Sequence, residues 1–297
     1  MTGSLTVDPA DIGSSPWEMF QDAGFMEICS RHYRWRSAEW SGVRGVARNL
    51  PLLGDLRARV FGPEARVGAQ WSDALAAARA GCIDVMTNLS VRHPLFECIS
   101  PPDLVSMLVD LRGDRDVLFS RFEGRARKAV RRAQREGLVV ERLENSSELD
   151  ELHALLMRLT GGGQLYEVPP LPLMHMLRDA GYARIYLARW RSEVVGGIYV
   201  VGARIAHGYV SGFDASACGG LPGSLLYWET MAAEADAGRE WFDLGAQSPA
   251  AQPGLALAKR AYGPVHLPAF RYIVRPRGLR PALARRLLSL RGSEPRR

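Results

Sequence analysis

The chain has 297 residues, 47% of them hydrophobic and 24% charged, which is the composition of a packed globular protein rather than of a disordered one. Its formal charge of +6 is compatible with a polyanionic partner such as nucleic acid, a phosphorylated ligand or a membrane surface, but requires none of them. Because no stretch approaches about 18 consecutive apolar residues, we expect no membrane span.

The cysteines are scattered. Cys29, Cys82, Cys98 and Cys218 form no Cys-x-x-Cys pair and no cluster with histidine, which predicts reduced core thiols rather than a zinc site or a disulfide framework. The stretch MTGSLTVDPADIGSSP lacks a basic segment followed by an apolar run, so no signal peptide is expected. We therefore expect a cytoplasmic protein that binds no metal.

The first hundred residues have a mixed αβ character. A helix is predicted within SPWEMFQDAGFMEICSRH, and the short strand-like pieces GVRGVARNLPLLG and LRARVFG follow it. The segment SDALAAARAG predicts a helix that Ser72 caps and Gly81 stops. CIDVMTNLS and DLVSMLVDL then predict strands.

One basic helix is predicted within residues 114–143, ending at Gly137 before the strand LVVERL. Residues at i, i+3, i+4 and i+7 spacing form its apolar face: Phe119, Phe122, Ala126, Ala129, Val130, Ala133 and Gly137. Basic residues occupy the rest of its circumference: Arg121, Arg125, Arg127, Lys128, Arg131, Arg132 and Arg135. This basic face could follow a phosphate backbone, or it could simply be a solvated surface.

The second half predicts an α+β order of elements. The helices SSELDELHALLMRLT and PLPLMHMLRDAG precede a meander of ARIYLARW, VVGGIYVVG and RIAHGYVSGF. A loop then leads into the helix SLLYWETMAAEADAG, with Ser224 and Gly238 as its predicted caps. The strand REWFDLG, the short helix PGLALAKRAYG and one closing strand, VHLPAFRYIV, complete the pattern, and the basic, amphipathic segment RPALARRLLSLR follows them.

Three features of this half are candidates for chemistry. Backbone N–H groups of ACGGLPGSLL could bind an anion at a helix N-terminus, although a plain connecting loop fits equally well. Asp243 is predicted to end its strand, where it could orient an amine or hydroxyl or cap the next loop. His207 stands alone on a meander strand and is interpreted as structural. No Ser-His-Asp or Cys-His set follows from the spacing, so covalent catalysis is not predicted.

Lysine is rare in this chain, since only Lys128 and Lys259 are lysines among 38 basic residues. Lys259 lies on a short predicted helix just beyond Asp243. A lysine there can direct a compact point charge into the same cleft and stabilise a developing oxyanion. The alternative is an exposed lysine whose stem lies along the surface.

Several segments in order resemble the Fem-type aminoacyl transferases, within the superfamily of N-acyltransferases with the acetyltransferase (GNAT) fold. They are GRARKAVRRAQREGLVV, the meander, GSLLYWETMAAEADAGREWFDLGA and LALAKRAYGP, over about residues 105–275. The resemblance implies an α+β fold of two acetyltransferase-like domains. Each would be a mostly antiparallel twisted sheet flanked by helices, and the N-terminal one would be degenerate. The domains would be 1–112, to which 276–297 returns, and 113–275, which would carry catalysis.

The resemblance also implies an activity: transfer of an amino acid from aminoacyl-tRNA, the co-substrate, to an amine of a peptide-like acceptor, with no cofactor and no metal. The family's phenylalanine-lysine pair aligns with Ala258-Lys259, so the aromatic is lost and the lysine is kept. Lys259 is therefore the expected catalytic residue. The candidates for substrate binding are Asp243, Tyr166, Tyr209, Asp214, Trp228 and Tyr262, and those for tRNA binding are Arg127, Lys128, Arg131, Arg132, Arg135 and Arg260.

Other functions stay open. The chain shows no inserted coiled-coil arm like that of cell-wall members, which favours a small peptide or antibiotic precursor over a peptidoglycan interpeptide bridge as the acceptor. An acyl-CoA-dependent N-acyltransferase is a second hypothesis, although the usual pattern of Gln or Arg, two residues and Gly-x-Gly or Gly-x-Ala is not present in register. A non-catalytic module that binds tRNA or a membrane is a third, and the basic helix and RPALARRLLSLR would serve it.

Overall fold

The computed structural model describes residues 12, 17–40, 42–50, 54–61, 70–78, 80–143, 145–159, 161, 168–277 and 282. The chain divides into two compact units. One unit is Met107–His266, and the other combines the described parts of Thr6–Ser106 and Leu267–Arg297. The family resemblance implies boundaries after residues 112 and 275, which lie 6 and 9 residues further along than Ser106 and His266. The predicted helix RPALARRLLSLR lies outside the described residues.

The unit that contains the N-terminal third of the chain is built on a six-stranded sheet, in the described part of the chain, with the order β1-β2-β3-β4-β13-β5. Its strands pair antiparallel except for β3 and β4, which are parallel. Asp22 caps the first helix, since its carboxylate accepts a hydrogen bond from Phe25 N at 2.9 Å. The elements are a 3-10 turn (Glu18–Gln21), α1 (Ala23–Tyr33), β1 (Arg36–Trp40), β2 (Val43–Leu50), β3 (Gly54–Phe61), α2 (Gln70–Ala76), β4 (Ala80–Thr87), β5 (Phe96–Cys98) and β13 (Phe270–Val274).

The second unit is built on a seven-stranded sheet, among the described residues, with the order β12-β6-β11-β10-β9-β8-β7. Strands β7 to β10 form an antiparallel meander, while β10 and β11 are parallel. Its elements are β6 (Val105–Asp110), α3 (Arg115–Ser120), α4 (Gly124–Arg135), β7 (Val139–Arg142), α5 (Ser146–Leu159), α6 (Leu171–Asp179), β8 (Ala183–Trp190), β9 (Glu193–Val201), β10 (Ile205–Phe213), a 3-10 turn (Ala217–Gly220), α7 (Pro222–Asp236), β11 (Trp241–Gln247), α8 (Pro253–Arg260) and β12 (Val265–Pro268). The α+β prediction, with two mostly antiparallel twisted sheets flanked by helices, is confirmed.

The predicted single basic helix is wrong, because the structure breaks it into α3 and α4 at residues 121–123. Backbone groups at the break find partners outside the helices. Glu123 N donates to Ala261 O at 2.8 Å, and the Arg127 guanidinium donates to the carbonyl of Ser120, the last residue of α3, and to that of Phe122 in the break. These contacts satisfy the chain at the break, so the periodic apolar pattern continues while the helix does not.

Other predicted boundaries also move. Ser72 lies inside α2, which begins at Gln70, and Gly81 lies inside β4, which begins at Ala80. Ser224 does not cap α7, because that helix already begins at Pro222. Proline is favoured in the first helical turn, where its missing N–H leaves no hydrogen bond unmade.

The predicted closing strand is two strands in two different sheets. β12 ends at Pro268 in the seven-stranded sheet, and β13 begins at Phe270 in the six-stranded sheet. Pro268 has no N–H to continue a ladder, and its carbonyl oxygen accepts from Asn88 Nδ2 at 2.7 Å. Ala269 N donates to Leu104 O at 3.0 Å. One continuous apolar run in the sequence therefore forms two strands, β12 and β13, that belong to different sheets.

A buried ion pair connects α7 to the meander. Glu234 on α7 has no exposed surface, and Arg184 from β8 donates to both of its carboxylate oxygens at 2.7 and 2.8 Å. The Tyr186 hydroxyl adds a third hydrogen bond to Glu234 at 2.8 Å, while Arg184 also donates to Gly202 O at 2.8 Å. Burial and the charge of Glu234 raise the pKa of Tyr186 above its ordinary value. Both carboxylate oxygens of Glu234 and all three nitrogens of Arg184 thus have a hydrogen-bond partner, as buried charges require.

Candidate active site

The parallel ladder between β10 and β11 is short. It joins Ile205 to Trp241, Ala206 to Phe242 and His207 to Asp243, and no further rung joins these two fully described strands, although β10 runs on to Phe213 and β11 to Gln247. The register of β10 against β9 shifts between Gly208 and Val210, which makes a bulge at Tyr209. Bulges re-aim side chains and are over-represented beside active sites. Backbone pairing between β10 and β11 therefore ends at His207 and Asp243.

Asp243 is a buried carboxylate with both oxygens engaged. Its side chain is 0% exposed, Oδ1 accepts from Gly245 N at 2.8 Å, and Oδ2 lies 2.7 Å from His207 Nδ1. The predicted strand end at Asp243 is wrong, because β11 continues to Gln247. The interpretation of His207 as a histidine standing alone is also corrected. Its partner lies 36 positions away in the chain and is brought opposite by the parallel register, which no local pattern reveals.

Lys259 approaches the same carboxylate from α8. A Cβ atom on Gly245 would lie 3.7 Å from Lys259 Nζ, so the ammonium group reaches the backbone two residues beyond Asp243. Gly245 has a φ of +88°, a conformation that favours glycine. Burial lowers the pKa of Lys259 from its ordinary 10.5 to about 8, and the charge of Asp243 acts in the opposite direction. Lys259 is therefore mostly cationic at neutral pH and close to titrating above it.

The position of Lys259 is determined by contacts at the C-terminal end of α8. Arg125 donates from Nη2 to Leu257 O at 2.6 Å, and Glu123 N donates to Ala261 O. Gly263 has a φ of +70°, and a Cβ there would overlap the Arg121 carbonyl oxygen, so only glycine permits this approach. Contacts with α4 and with the break between α3 and α4 thus hold α8 in position, and all of these residues belong to one unit.

Among the predicted substrate-binding residues, Tyr209 lies beside the His207–Asp243 pair. Its side chain projects from the β10 bulge, is 40% exposed, and has its ring centroid 5.9 Å from that of His207. The structure therefore groups Asp243, His207, Lys259 and Tyr209 at the point where β10 and β11 separate. We call these four residues the β10–β11 site.

Trp228 and Tyr262 lie in an aromatic cluster instead. Trp228 on α7 is buried, with its ring 4.6 Å from Phe119 and 5.6 Å from Phe122. Tyr262 is also buried, 5.2 Å from Phe122 and 5.0 Å from Tyr227, and burial raises the pKa of its hydroxyl above the ordinary value. These rings pack α7 against α3, against the break that follows α3 and against the residues that follow α8.

Asp214 and Tyr166 complete the predicted set. Asp214 follows β10 and accepts hydrogen bonds from Ser216 N at 2.9 Å and Ser216 Oγ at 2.5 Å. The hydroxyl of Ser216 in particular lowers the pKa of Asp214. This is a turn that begins the loop towards α7. Tyr166 lies outside the described residues.

The predicted tRNA-binding residues divide into two groups. Lys128, Arg131, Arg132 and Arg135 are exposed on α4, and Arg260 is exposed on α8. Arg127 differs, because its guanidinium is turned inwards to the Ser120 and Phe122 carbonyls. The exposed members on α4 form one basic surface, which we call the α4 basic face.

Two contacts give the α4 basic face a defined shape. The Arg131 guanidinium lies over the Phe119 ring at 5.5 Å, and Arg132 pairs with Glu136 at 3.8 Å. Arg132 Nη2 would also lie 4.0 Å from a Cβ on Gly219, in the 3-10 turn that precedes α7. The α4 basic face therefore extends to the glycine-rich segment ACGGLPGSLL, which was predicted from the sequence as a possible anion-binding site.

The family match lies within one unit, whereas the similar structures cover nearly the whole chain. Residues 120–252 match a family model described as an acetyltransferase (GNAT) domain, and no curated protein matches the chain. The fold is similar to that of FemX, with a TM-score of 0.65 at 14% identity over 92% of this chain and 94% of that chain. It is also similar to L-PGS from Bacillus licheniformis, with a TM-score of 0.57 at 14% identity over 100% of both chains.

A conserved protein of unknown function from Bacteroides thetaiotaomicron has a TM-score of 0.57 at 12% identity, over 93% of this chain and 100% of that chain. At such identities these likenesses show the fold alone. Together with the family model they confirm the predicted acetyltransferase-like architecture.

Two further features concern only the described residues. No helix among them is both long enough and apolar enough to cross a membrane. In the same part of the chain, no three His, Cys, Asp or Glu side chains converge in the way a bound metal ion requires.

Proposed function

We propose that this protein is an aminoacyl transferase, which moves an amino acid from aminoacyl-tRNA to an amine of a small peptide-like acceptor and forms an amide bond. The observation that carries the proposal is the ammonium of Lys259, held in the β10–β11 site beside buried Asp243. The acetyltransferase family model and the fold shared with FemX support acyl or aminoacyl transfer as the general chemistry.

The reaction requires chiefly that the protein positions the two substrates and stabilises the negative charge that develops. An aminoacyl-tRNA is an activated ester, so an amine attacks its carbonyl carbon once both are held in position. The C–N bond forms, the carbonyl oxygen becomes an oxyanion, and collapse of this intermediate breaks the ester C–O bond and releases the ribose hydroxyl. A preorganised cation next to the developing oxyanion stabilises this step, and Lys259 supplies a point charge suited to one oxygen atom.

The direct test offers the two competing donors side by side. Purified protein is incubated with total aminoacyl-tRNA and an amine acceptor, and separately with acetyl-CoA and the same acceptor. Deacylation of the tRNA that ribonuclease pretreatment abolishes supports the proposal. Release of free CoA without any effect on aminoacyl-tRNA would assign the protein to acyl-CoA-dependent acetylation, and deacylation of neither donor would contradict both activities.

The acceptor is proposed to be a peptide or antibiotic precursor rather than a cell-wall intermediate. Among the described residues the longest helix is α7, with 15 residues, so no long helical arm is present there. Small peptides and a peptidoglycan precursor are compared as acceptors at equal concentration. Transfer to the peptidoglycan precursor alone would overturn this part of the proposal.

The cationic form of Lys259 predicts a specific pH dependence. Its pKa is lowered to about 8, so the ammonium is present below pH 8 and is lost as pH rises through that value. We expect turnover to fall about tenfold per pH unit above pH 8. The measurement uses hydroxylamine as the acceptor, because it is unprotonated across this range and its own titration does not interfere. In Lys259→Arg the guanidinium stays charged, so the remaining activity should show no such fall, and an identical fall in both proteins would contradict the assignment.

The α4 basic face predicts salt-sensitive tRNA binding. Each phosphate contact contributes about 0.9 to the slope of log affinity against log salt concentration in duplex nucleic acid. Replacing Lys128, Arg132 and Arg135 together with alanine should therefore lower this slope by about 2 to 3, measured by filter binding across a salt series. Arg31→Ala is the control for the loss of an exposed positive charge, since Arg31 lies on α1 and not on the α4 basic face. An unchanged slope in the triple variant would remove this face from the tRNA interface.

A further inference from the structure

We infer that His207 is the general base of this site, which takes the proton from the attacking amine while Lys259 stabilises the oxyanion. This assignment rests on the aminoacyl transfer proposed above. It starts from one contact, the 2.7 Å separation between His207 Nδ1 and Asp243 Oδ2, and from the position of that contact at the last rung shared by β10 and β11.

The partner of His207 determines which ring nitrogen can accept a proton. An ionised carboxylate only accepts hydrogen bonds, and Asp243 Oδ1 already accepts from Gly245 N. Asp243 Oδ2 therefore holds the proton on His207 Nδ1, and the lone pair of the neutral imidazole is on Nε2. The His207 side chain is 12% exposed and that of Asp243 is 0% exposed. The imidazole is therefore in partial contact with solvent, while the carboxylate that orients it is fully buried.

Asp243 also links the base to the cation. The same carboxylate that bonds His207 attracts Lys259, and Lys259 Nζ approaches the backbone at Gly245, which Asp243 holds by a hydrogen bond. One buried carboxylate thus interacts with both an imidazole and an ammonium. A base oriented by a buried carboxylate, next to a fixed positive charge, is an arrangement suited to acyl transfer.

The reaction needs both groups because attack by a neutral amine creates two charges. The C–N bond forms, the nitrogen becomes positively charged and the carbonyl oxygen becomes negatively charged. The oxyanion lies against Lys259, which stays protonated throughout. The proton on nitrogen passes to His207 Nε2 and then to the ribose oxygen as the ester C–O bond breaks, so the imidazole returns to its neutral form.

Lys259 alone does not fill both roles. To act as a base it must first lose its proton, and with a pKa of about 8 only about a tenth of it is neutral at pH 7. The neutral fraction also lacks the charge that stabilises the oxyanion. If His207 accepts the proton, Lys259 can stay protonated and stabilise the oxyanion.

The test compares two acceptors in one variant. His207→Asn can keep a donor towards Asp243 while removing the nitrogen equivalent to Nε2. We expect its kcat/KM with an alkylamine or peptide acceptor to fall by about a hundredfold or more, the usual range for loss of a general base. With hydroxylamine, whose attack depends much less on a base, the fall should stay below about tenfold after subtraction of the uncatalysed reaction. Lys259→Ala should lower both reactions alike, since both pass through an oxyanion.

The ratio of the two rates is measured within each protein sample, so it is independent of the fraction that has folded. Equal losses with both acceptors in His207→Asn would mean that His207 only supports the structure, and would overturn the inference while leaving the aminoacyl transfer intact. No loss with either acceptor would overturn it too. If the unaltered protein shows no ribonuclease-sensitive transfer, the proposed function falls and the inference falls with it.

Discussion

Lys259→Ala is expected to lower turnover by about a hundredfold or more without lowering the thermal stability of the protein. Loss of one preorganised group that stabilises an oxyanion typically raises the barrier by about 3 kcal/mol. The stability expectation has the opposite sign, because burial makes the folded protein a poor environment for the ammonium. A variant that loses activity and keeps or gains stability cannot be explained by misfolding.

The sign of the stability effect follows from the pKa of Lys259, which is about 8 in the folded protein against an ordinary 10.5. Folding therefore disfavours the protonated lysine, by up to about 3 kcal/mol, and partial solvent access reduces this figure. The cost is fully present below pH 8 and disappears as pH rises to 10.5. Removing Lys259 should accordingly leave the melting temperature at pH 7 unchanged or higher.

Two controls sharpen this experiment. Leu257→Ala changes an exposed side chain on the same helix and should leave turnover unchanged. Lys259→Arg keeps the charge but replaces a compact cation with a planar one, so we expect partial activity. Turnover of Lys259→Ala close to that of the unaltered protein would remove Lys259 from the mechanism.

Arg184→Met is expected to destabilise the protein by about 3–5 kcal/mol, because it removes the cation that is hydrogen-bonded to the buried carboxylate of Glu234 and leaves only Arg239, whose Nε lies 3.7 Å from Glu234 Oε2. Glu234 has no exposed surface, and Arg184 provides two of its hydrogen bonds. The Tyr186 hydroxyl cannot neutralise the charge that remains. The free energy of unfolding, from urea titration monitored by tryptophan fluorescence, measures the loss.

The matched comparison is an exposed ion pair between α3 and α7, the helix that carries Glu234. Arg115 and Asp236 lie 2.5 Å apart, but their side chains are 54% and 55% exposed, so Arg115→Met should cost less than about 1 kcal/mol. The double variant Arg184→Met/Glu234→Met should recover much of the stability that Arg184→Met loses, since it removes both buried charges. Equal losses for the single and double variants would show that packing, rather than uncompensated charge, determines the effect.

Local patterns in the sequence are sufficient for most of the second unit. The meander strands β8 to β10 and the helices α5 and α6 follow from hydrophobic periodicity and turn residues, which act over a few positions. The break between α3 and α4 could not be predicted in this way. Its cause is a set of contacts with Ala261 and with carbonyls at the end of α3, and no spacing rule reports them.

The candidate site was predicted only in part, for the same reason. Asp243 and Lys259 lie within 16 residues of each other, and a strand, a loop and a short helix place both near one edge of a sheet. His207 comes from a strand that precedes them by a helix and a loop, and only the parallel register of β10 and β11 puts it opposite Asp243. A histidine and an aspartate at equivalent positions of two strands expected to pair in parallel would have been the available signal.

The place of β13 in its sheet determines the order in which the protein can be completed. β13 lies between β4 and β5, pairing Phe270 with Thr87 and Tyr272 with Cys98. During synthesis the first half of the chain emerges long before Phe270–Val274. The edges of β4 and β5 that pair with β13 therefore stay unpaired until β13 has been synthesised. The unit whose synthesis begins first is therefore the one that is completed last, and its β4–β13 and β13–β5 ladders form only after all residues of the β10–β11 site have been synthesised.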